Sequence, residues 1–338
     1  MRMCSANQST QSNLGIVRPG GRLVLWTIFA LIVVLFQATS LGQAQEASEW
    51  SRAQGLTLVG SRAAGLAGAF TAVADNTDTV YWNPAGLERL TGTEASLSYQ
   101  IHDEENPIQM NLSLLAGRRG EGGGGEGLGV LISEIEVPGE SEEGTNGEEE
   151  LEKVKIKQRV VILSKSFRDK QTGLSFGVSL KYLNEKIEKT EHAAGADVGL
   201  LYRFGNYLSV GLVARNVTTV FDDVDSFEDE YQIGLAGSPI PSLTLSGDVT
   251  NFLGQDDQPK TFRGGIRYQP LDMLTLRGGY MGIDPEEGDS ESVVTGGISL
   301  FDIRKGAGRQ LGLDYAVTYN VDAEEAELTH TISATARW

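Results

Sequence analysis

From residue 93 to the C-terminus the chain alternates between apolar side chains and small or polar ones. Leu174, Phe176, Val178, Leu180 and Tyr182 alternate with Ser175, Gly177, Ser179 and Lys181. Leu311, Leu313, Tyr315 and Val317 alternate with Gly312, Asp314, Ala316 and Thr318. A period of two is that of a β-strand with one apolar face. About fourteen such runs are predicted from the alternation and the turn residues between them. They cover 94–102, 108–117, 127–136, 153–167, 173–187, 193–203, 207–217, 229–238, 242–251, 260–269, 273–283, 290–301, 309–320 and 328–338. A soluble sandwich has the same alternation. The consistently small residues on the polar faces suit a barrel lumen instead. Tyr182, Tyr202, Tyr268, Tyr280, Tyr319 and Trp338 fall near strand ends on the apolar face, as the aromatic girdles of a transmembrane barrel do. The expected fold is therefore all-β, a transmembrane antiparallel barrel of about 14 strands, an even number.

The N-terminal end supports export. Arg2, Arg18 and Arg22 precede the apolar run Leu23–Phe36, and the small residues Gly42 and Ala44 follow it. This is the pattern of a secretory signal, and the run is short for a membrane helix of roughly 20 residues. No other segment suits a transmembrane helix. The expected organisation is a signal peptide at 1–44, a plug at 45–92 and a barrel at 93–338. The expected location is the outer membrane of a Gram-negative-type bacterium. The terminal Trp338 closes an alternating strand, which resembles the signal read by the barrel assembly machinery.

Charge and composition restrict the chemistry. The net charge is −18 and falls to −21 once the three arginines of 1–44 are removed, which argues against nucleic acid as a partner. The single cysteine, Cys4, lies in the signal, so thiolate chemistry and disulfides are not expected in the mature chain. His102, His192 and His330 are scattered, and no metalloprotease or serine-hydrolase motif is present. Neither enzyme activity nor a cofactor is expected, and no metal site is assigned. Acid-rich connections such as 140–152 and 222–230 fall on the outward side if strand one runs outward, and short or basic ones on the inward side.

The same alternation places Lys155, Lys157, Arg159, Lys165, Lys181, Arg203, Arg263, Arg267, Arg277 and Arg337 on the non-lipid face, with Asp197, Asp248 and Asp314. Such charges either pair internally and with the plug or attract an anion. Arg263, Arg267 and Arg277, on adjacent strands, are the candidate anion-binding residues of the lumen.

Before the strands lies GSRAAGLAGAFTAVADNTDTVYWNPAGLERL, residues 60–90, small and Gly/Ala-rich, read as helical. Asn83 suits a helix cap and Pro84 the first helical position. Gly65 and Gly68 suit close packing, and Asp75 and Asp78 suit turn caps. The segment resembles the N-terminus of FadL-type long-chain fatty acid transporters and is more similar to that of the PorV/PorQ outer-membrane proteins. The resemblance rests on Gly60, Arg62, Ala63, Gly65, Gly68, Ala69, Ala72, Ala74, Asp75 and Asn83-Pro84-Ala85-Gly86-Leu87. It implies a barrel closed by its own N-terminal plug, with Asn83, Pro84, Ala85 and Gly86 as structural plug residues. FadL-like members pass hydrophobic molecules through the lumen towards a lateral opening. PorV-like members hand secreted proteins to a surface-attachment complex. The short acidic outer loops depart from the transporter pattern, which has long apolar ones. The partners so implied are outer-membrane lipid and either a hydrophobic small molecule or secreted proteins, a purely structural outer-membrane barrel being the remaining alternative.

Overall fold

The structure, a computed structural model, describes residues 58–102, 108–119, 124–143, 150–186, 190–205, 207–220, 230–253, 259–284, 290–302, 310–322 and 327–338. The expected signal at 1–44, the first part of the expected plug and most of the acidic connections lie outside the described residues.

Fourteen strands form one closed antiparallel barrel in which each strand pairs with its sequence neighbours and β1 pairs with β14. They are β1 (Gly92–His102), β2 (Ile108–Arg119), β3 (Gly125–Glu143), β4 (Glu150–Arg168), β5 (Ser175–Lys186), β6 (Thr190–Phe204) and β7 (Leu208–Val220). The second half comprises β8 (Glu230–Ile240), β9 (Leu243–Thr250), β10 (Lys260–Leu271), β11 (Leu274–Asp284), β12 (Glu291–Asp302), β13 (Gln310–Asn320) and β14 (Glu327–Arg337). Closure is sealed where the chain begins and ends its wall: Thr93 N–H donates to the Trp338 carbonyl at 2.8 Å, and Trp338 N–H to the Thr93 carbonyl at 2.9 Å. This end also carries the tight turns, and we call it the turn end. The opposite end is the loop end.

The alternation is realised side chain by side chain. Ser96, Ser98 and Gln100 of β1 are buried inside, while Leu97 and Tyr99 between them face out. Outward residues such as Leu180, Leu235 and Leu313 are 61%, 52% and 54% exposed. A continuous exposed apolar band around a closed sheet is stable only in lipid, which also requires every wall N–H and C=O to be paired. Tyr280 and Tyr319 stand towards the loop end of this band, Tyr268 and Trp338 towards the turn end.

Three features differ from the sequence expectation. First, β3 and β4 are 19 residues each, longer than the 9–11 that cross a bilayer, so their hairpin projects beyond the membrane at the loop end. Second, Lys157, Arg159 and Lys165 face outward, because Gln158, Ser164 and Ser166 between them are the buried ones. The side chain of Lys155 lies outside the described residues. The run Val160–Leu163 fits either phase, and the inward Ile162 and Leu131 pack on plug residues Val80 and Leu87. An inner face is thus apolar here because the plug, not water, covers it. Outside, Lys157 and Arg159 each meet Glu134 at 2.6 Å near the loop end. Third, the ladders run unbroken from β2 to β6, with no lateral opening in them. A register shift inside the wall lies between Ala196 and Val198 of β6, where Asn216 of β7 takes a left-handed φ of 55° and donates its N–H to Asp197 at 3.0 Å.

The plug fills the turn-end half of the lumen. It is less helical than expected. It consists of α1 (Ser61–Ala64), α2 (Thr79–Trp82), a 3-10 helix (Pro84–Arg89) and turns between them. Positive φ at Ala67, Gly68 and Ala74 breaks any longer helix and folds the chain back on itself. Its core is Leu58, Leu66, Phe70 and Trp82, with Trp82 Nε1 donating to the Val59 carbonyl at 2.9 Å.

The wall meets the plug with glycines. A Cβ on Gly177 would collide with Pro84 and Ala85, one on Gly211 with Thr71, and one on Gly279 with Leu66 and Ala67. Overpacking of this kind costs about 1–3 kcal/mol. Gly177→Val is therefore expected to unseat the plug while leaving the barrel intact. Hydrogen exchange should accelerate within 58–90 and stay slow in the strands; loss of protection in the strands as well would contradict this division.

Candidate functional site

The interface between plug and wall gathers most of the buried charge described, and it is where the chain's chemistry lies. Asn83 to Gly86 forms its clamp. Asn83 Oδ1 accepts the Ala85 N–H at 3.0 Å, as expected of a cap, though the helix is 3-10. Asn83 Nδ2 donates to the carbonyls of Thr71 at 2.8 Å and Leu200 of β6 at 3.2 Å. Pro84 and Ala85 lie over Gly177, and Gly86 is pressed against Ala74. These contacts tie one plug turn to another and to the wall.

The ion pairs come next. Arg62 of α1 reaches Asp314 of β13 at 3.1 Å and Glu94 of β1 at 3.9 Å. Glu94 also pairs with Arg337 of β14 and accepts the Thr77 N–H at 3.2 Å. Asp248 of β9 accepts the backbone N–H groups of Phe70 and Thr71, each at 2.9 Å, and Gln232 Nε2 at 3.0 Å. Wall carboxylates thus satisfy plug donors that a turn-rich segment cannot satisfy itself.

The three candidate arginines separate in role. Arg263 is buried, donates to Thr250 Oγ1 and lies 5.9 Å from the Trp82 ring centroid. Arg277 is the register partner of Arg267, but it donates to Ser299 Oγ and stands 3.9 Å from Asp314. Of the three, Arg267 lines a cavity at the turn end. It holds Asp75 of the plug at 2.6 Å and Thr244 Oγ1 at 3.2 Å. That cavity, of about 120 Å³, lies at the turn end between the plug and β6–β10 and is also lined by Arg89 and Arg203. Among the described residues no group of His, Cys, Asp and Glu is arranged to hold a metal ion.

Sequence reading missed Arg89, Arg215 and Glu94. Arg215 sits beside the β7 bulge and donates to the Trp82 carbonyl at 3.0 Å and Gln232 Oε1 at 2.8 Å. Glu94 carried a signal, being an acid in the inward phase of β1. Arg89 carried none, since only the folded plug points it at the Val73 and Ala74 carbonyls.

Asp75 and Asp78 are not turn caps, and their environments push them in opposite directions. Burial disfavours the Asp75 carboxylate, but the Arg267 and Arg89 guanidinium groups outweigh it and hold its pKa below the usual range. Asp78 packs against Gly60, whose left-handed φ of 84° lets the backbone approach. Burial pushes its pKa up to about 6, aided by the Asp314 and Glu94 charges and opposed by the Asn76 hydrogen bond and Arg62. A carboxyl with a folded pKa above its ordinary 3.8 is penalised once ionised. Its burden on plug seating is absent at low pH, grows as pH rises through the interval from about 4 to about 6, and reaches ~3 kcal/mol above it. Asp78→Asn should therefore slow plug hydrogen exchange at pH 8 and leave it unchanged at pH 4. An equal effect at both would exclude titration of Asp78 as the cause.

No family model and no curated protein sequence matches this chain. Solved structures do. A FadL homologue of Pseudomonas aeruginosa aligns over 82% of this chain and 97% of its own at 10% identity, with a TM-score of 0.60. The toluene transporter TodX of Pseudomonas putida aligns over 77% and 92% at 13% identity, with a TM-score of 0.52. A TodX variant, described as a monoaromatic hydrocarbon channel, aligns over 76% and 92% at 15% identity, with a TM-score of 0.53. The chain therefore has a FadL-type fold.

Proposed function

We propose that the protein is an outer-membrane channel of the FadL type, plugged at rest, that binds or passes a small hydrophobic or amphiphilic compound without energy input. The observation that carries this reading is the nature of the plug seat. The plug shares apolar patches with the wall, the largest where Val80 and Leu87 meet Leu115, Leu131 and Ile162, and elsewhere rests on glycine and polar contacts. Buried ion pairs roughly break even against their desolvation, so the charged part of the seat can be left and regained at modest cost. The likeness in fold to a FadL homologue and to TodX supports the same reading. On this assignment the tight turns face the periplasm and the β3–β4 hairpin faces outside, as in bacterial barrels generally.

A second reading is favoured by a different observation. Arg62–Asp314, Arg62–Glu94 and Arg267–Asp75 tie the plug to three separate parts of the wall. A barrel locked in this way suits a PorV-like partner of a secretion or surface-attachment machine, which needs no open lumen.

Flux separates the two. In vesicles with a lipopolysaccharide outer leaflet, which slows the toluene that a phospholipid bilayer passes freely, toluene entry with the purified barrel should exceed that of protein-free vesicles, and Gly177→Val should raise it further. If the wild type and the unseated variant both match empty vesicles, the channel reading fails. A stable complex with secreted proteins, kept by Gly177→Val, would then favour the second.

A further inference from the structure

Near the loop end, the outward face of β3–β6 changes from apolar to charged between one register row and the next. Ile132, Val161, Tyr182 and Ala194 are partners across the four strands and make an apolar row. The next row towards the loops is Glu134, Arg159, Asn184 and His192. The row after that sets Lys157 of β4 between Glu136 of β3 and Lys186 of β5. Outward rows lie about 7 Å apart along a strand, so the change is abrupt. It puts the edge of the hydrocarbon beside Tyr182, whose ring stacks on His192 and whose Oη lies 2.7 Å from His192 Nδ1.

The basic side chains just beyond this edge are placed at a cost. Glu134 serves two cations, Lys157 and Arg159. Lys186 stands directly opposite Lys157 on the neighbouring strand. It is exposed and meets no carboxylate among the described residues. Like charges directly opposite one another destabilise a strand pair. The connections at this end are acid-rich, so two facing lysines here run against the local composition. An anion lodged between them relieves the repulsion, and at this depth lipid headgroups supply it.

We propose that this face docks lipopolysaccharide of the outer leaflet, with a lipid A phosphate between Lys157 and Lys186 and acyl chains lying on Val161, Leu180 and Tyr182. The proposal rests on the orientation adopted with the channel reading, in which the loop end faces outside. Charge complementarity selects the occupant. Lipid A carries its phosphates on the sugars next to its acyl chains, which is the level of the first rows beyond the apolar band. An ammonium group takes a phosphate oxygen as a point charge and needs no planar fork. A docked glycolipid would hold the long β3–β4 hairpin at the membrane surface, where it leaves the bilayer.

The test uses the full chain in detergent, with diphosphoryl lipid A as probe and binding read by native mass spectrometry. Heat-modifiable gel mobility reports that each variant keeps its barrel. Lys186→Gln should weaken lipid A by about fivefold, and Lys157→Gln combined with it by more. Lys260→Gln is the control, since Lys260 lies at the loop end of β10 opposite Asp284, and it should bind as the wild type does. Unchanged affinity in the folded double variant would overturn the proposal, and so would an equal loss in Lys260→Gln. Dephosphorylated lipid A or phosphatidylglycerol binding as tightly as diphosphoryl lipid A would also overturn it. Poly-glutamate displacing lipid A at equal concentration would overturn it in favour of an acidic protein partner. Toluene flux is measured separately. Wild-type protein that passes no toluene, yet binds lipid A in a Lys186-dependent way, would sink the channel reading and leave the docking face. Flux without Lys186-dependent binding would do the reverse.

Discussion

The pairing of β1 with β14 is the constraint on which the rest depends. A sheet with exposed edges cannot stand in hydrocarbon, where an unpaired N–H or C=O costs several kcal/mol. The first and last strands must therefore find each other across the whole chain, and the Thr93–Trp338 exchange is where they lock. Closure fixes an inside. Once there is an inside, the polar half of each strand is removed from lipid, and something must fill it. The chain fills it with the segment immediately before β1, which is covalently placed at the mouth that closure creates.

Filling the lumen imposes its own chemistry. The plug is turn-rich, so it brings backbone N–H groups with no partners of their own. Wall carboxylates supply them: Asp248 takes two and Glu94 one. Buried carboxylates in turn need cations: Glu94 meets Arg62 and Arg337, and Asp314 meets Arg62 and Arg277. The buried charge network follows from plugging a polar tube with irregular backbone. It does not by itself mark a ligand site, and that is why Arg263 and Arg277, both inward and both basic, turn out to be occupied by the structure.

Strand positions and strand count were legible because lipid on one side and a polar lumen on the other give an uninterrupted period of two. The same logic made β4 illegible. Where Ile162 meets Val80 and Leu87, the lumen side is as apolar as the lipid side, and the phase of Val160–Leu163 carries no information. The clamp at Asn83–Gly86 could be read from local rules, since a cap and a proline act within their own turn. The partners of Asn83 on β6, and the convergence of Arg89, Arg203 and Arg267, could not. They join residues far apart in sequence through a tertiary arrangement that no local pattern encodes.

A plug of this kind sits between two requirements. Packed on a large apolar face, it would be a permanent stopper, because each buried leucine adds roughly 1.5–3 kcal/mol to its seat. Held by water-filled contacts, it would leak. The wall presents an apolar patch at Leu115, Leu131 and Ile162, and elsewhere glycines where the plug backbone passes and charged groups where it turns. Close backbone contact excludes water without a large hydrophobic payload. Ion pairs fix orientation at little net gain in stability. Within that arrangement Asp75 and Asp78 work oppositely: one gains by staying charged against Arg267, the other resists charge in its pocket over Gly60. The seat is thus specific in geometry, with its apolar contacts confined to patches between glycine and charged ones.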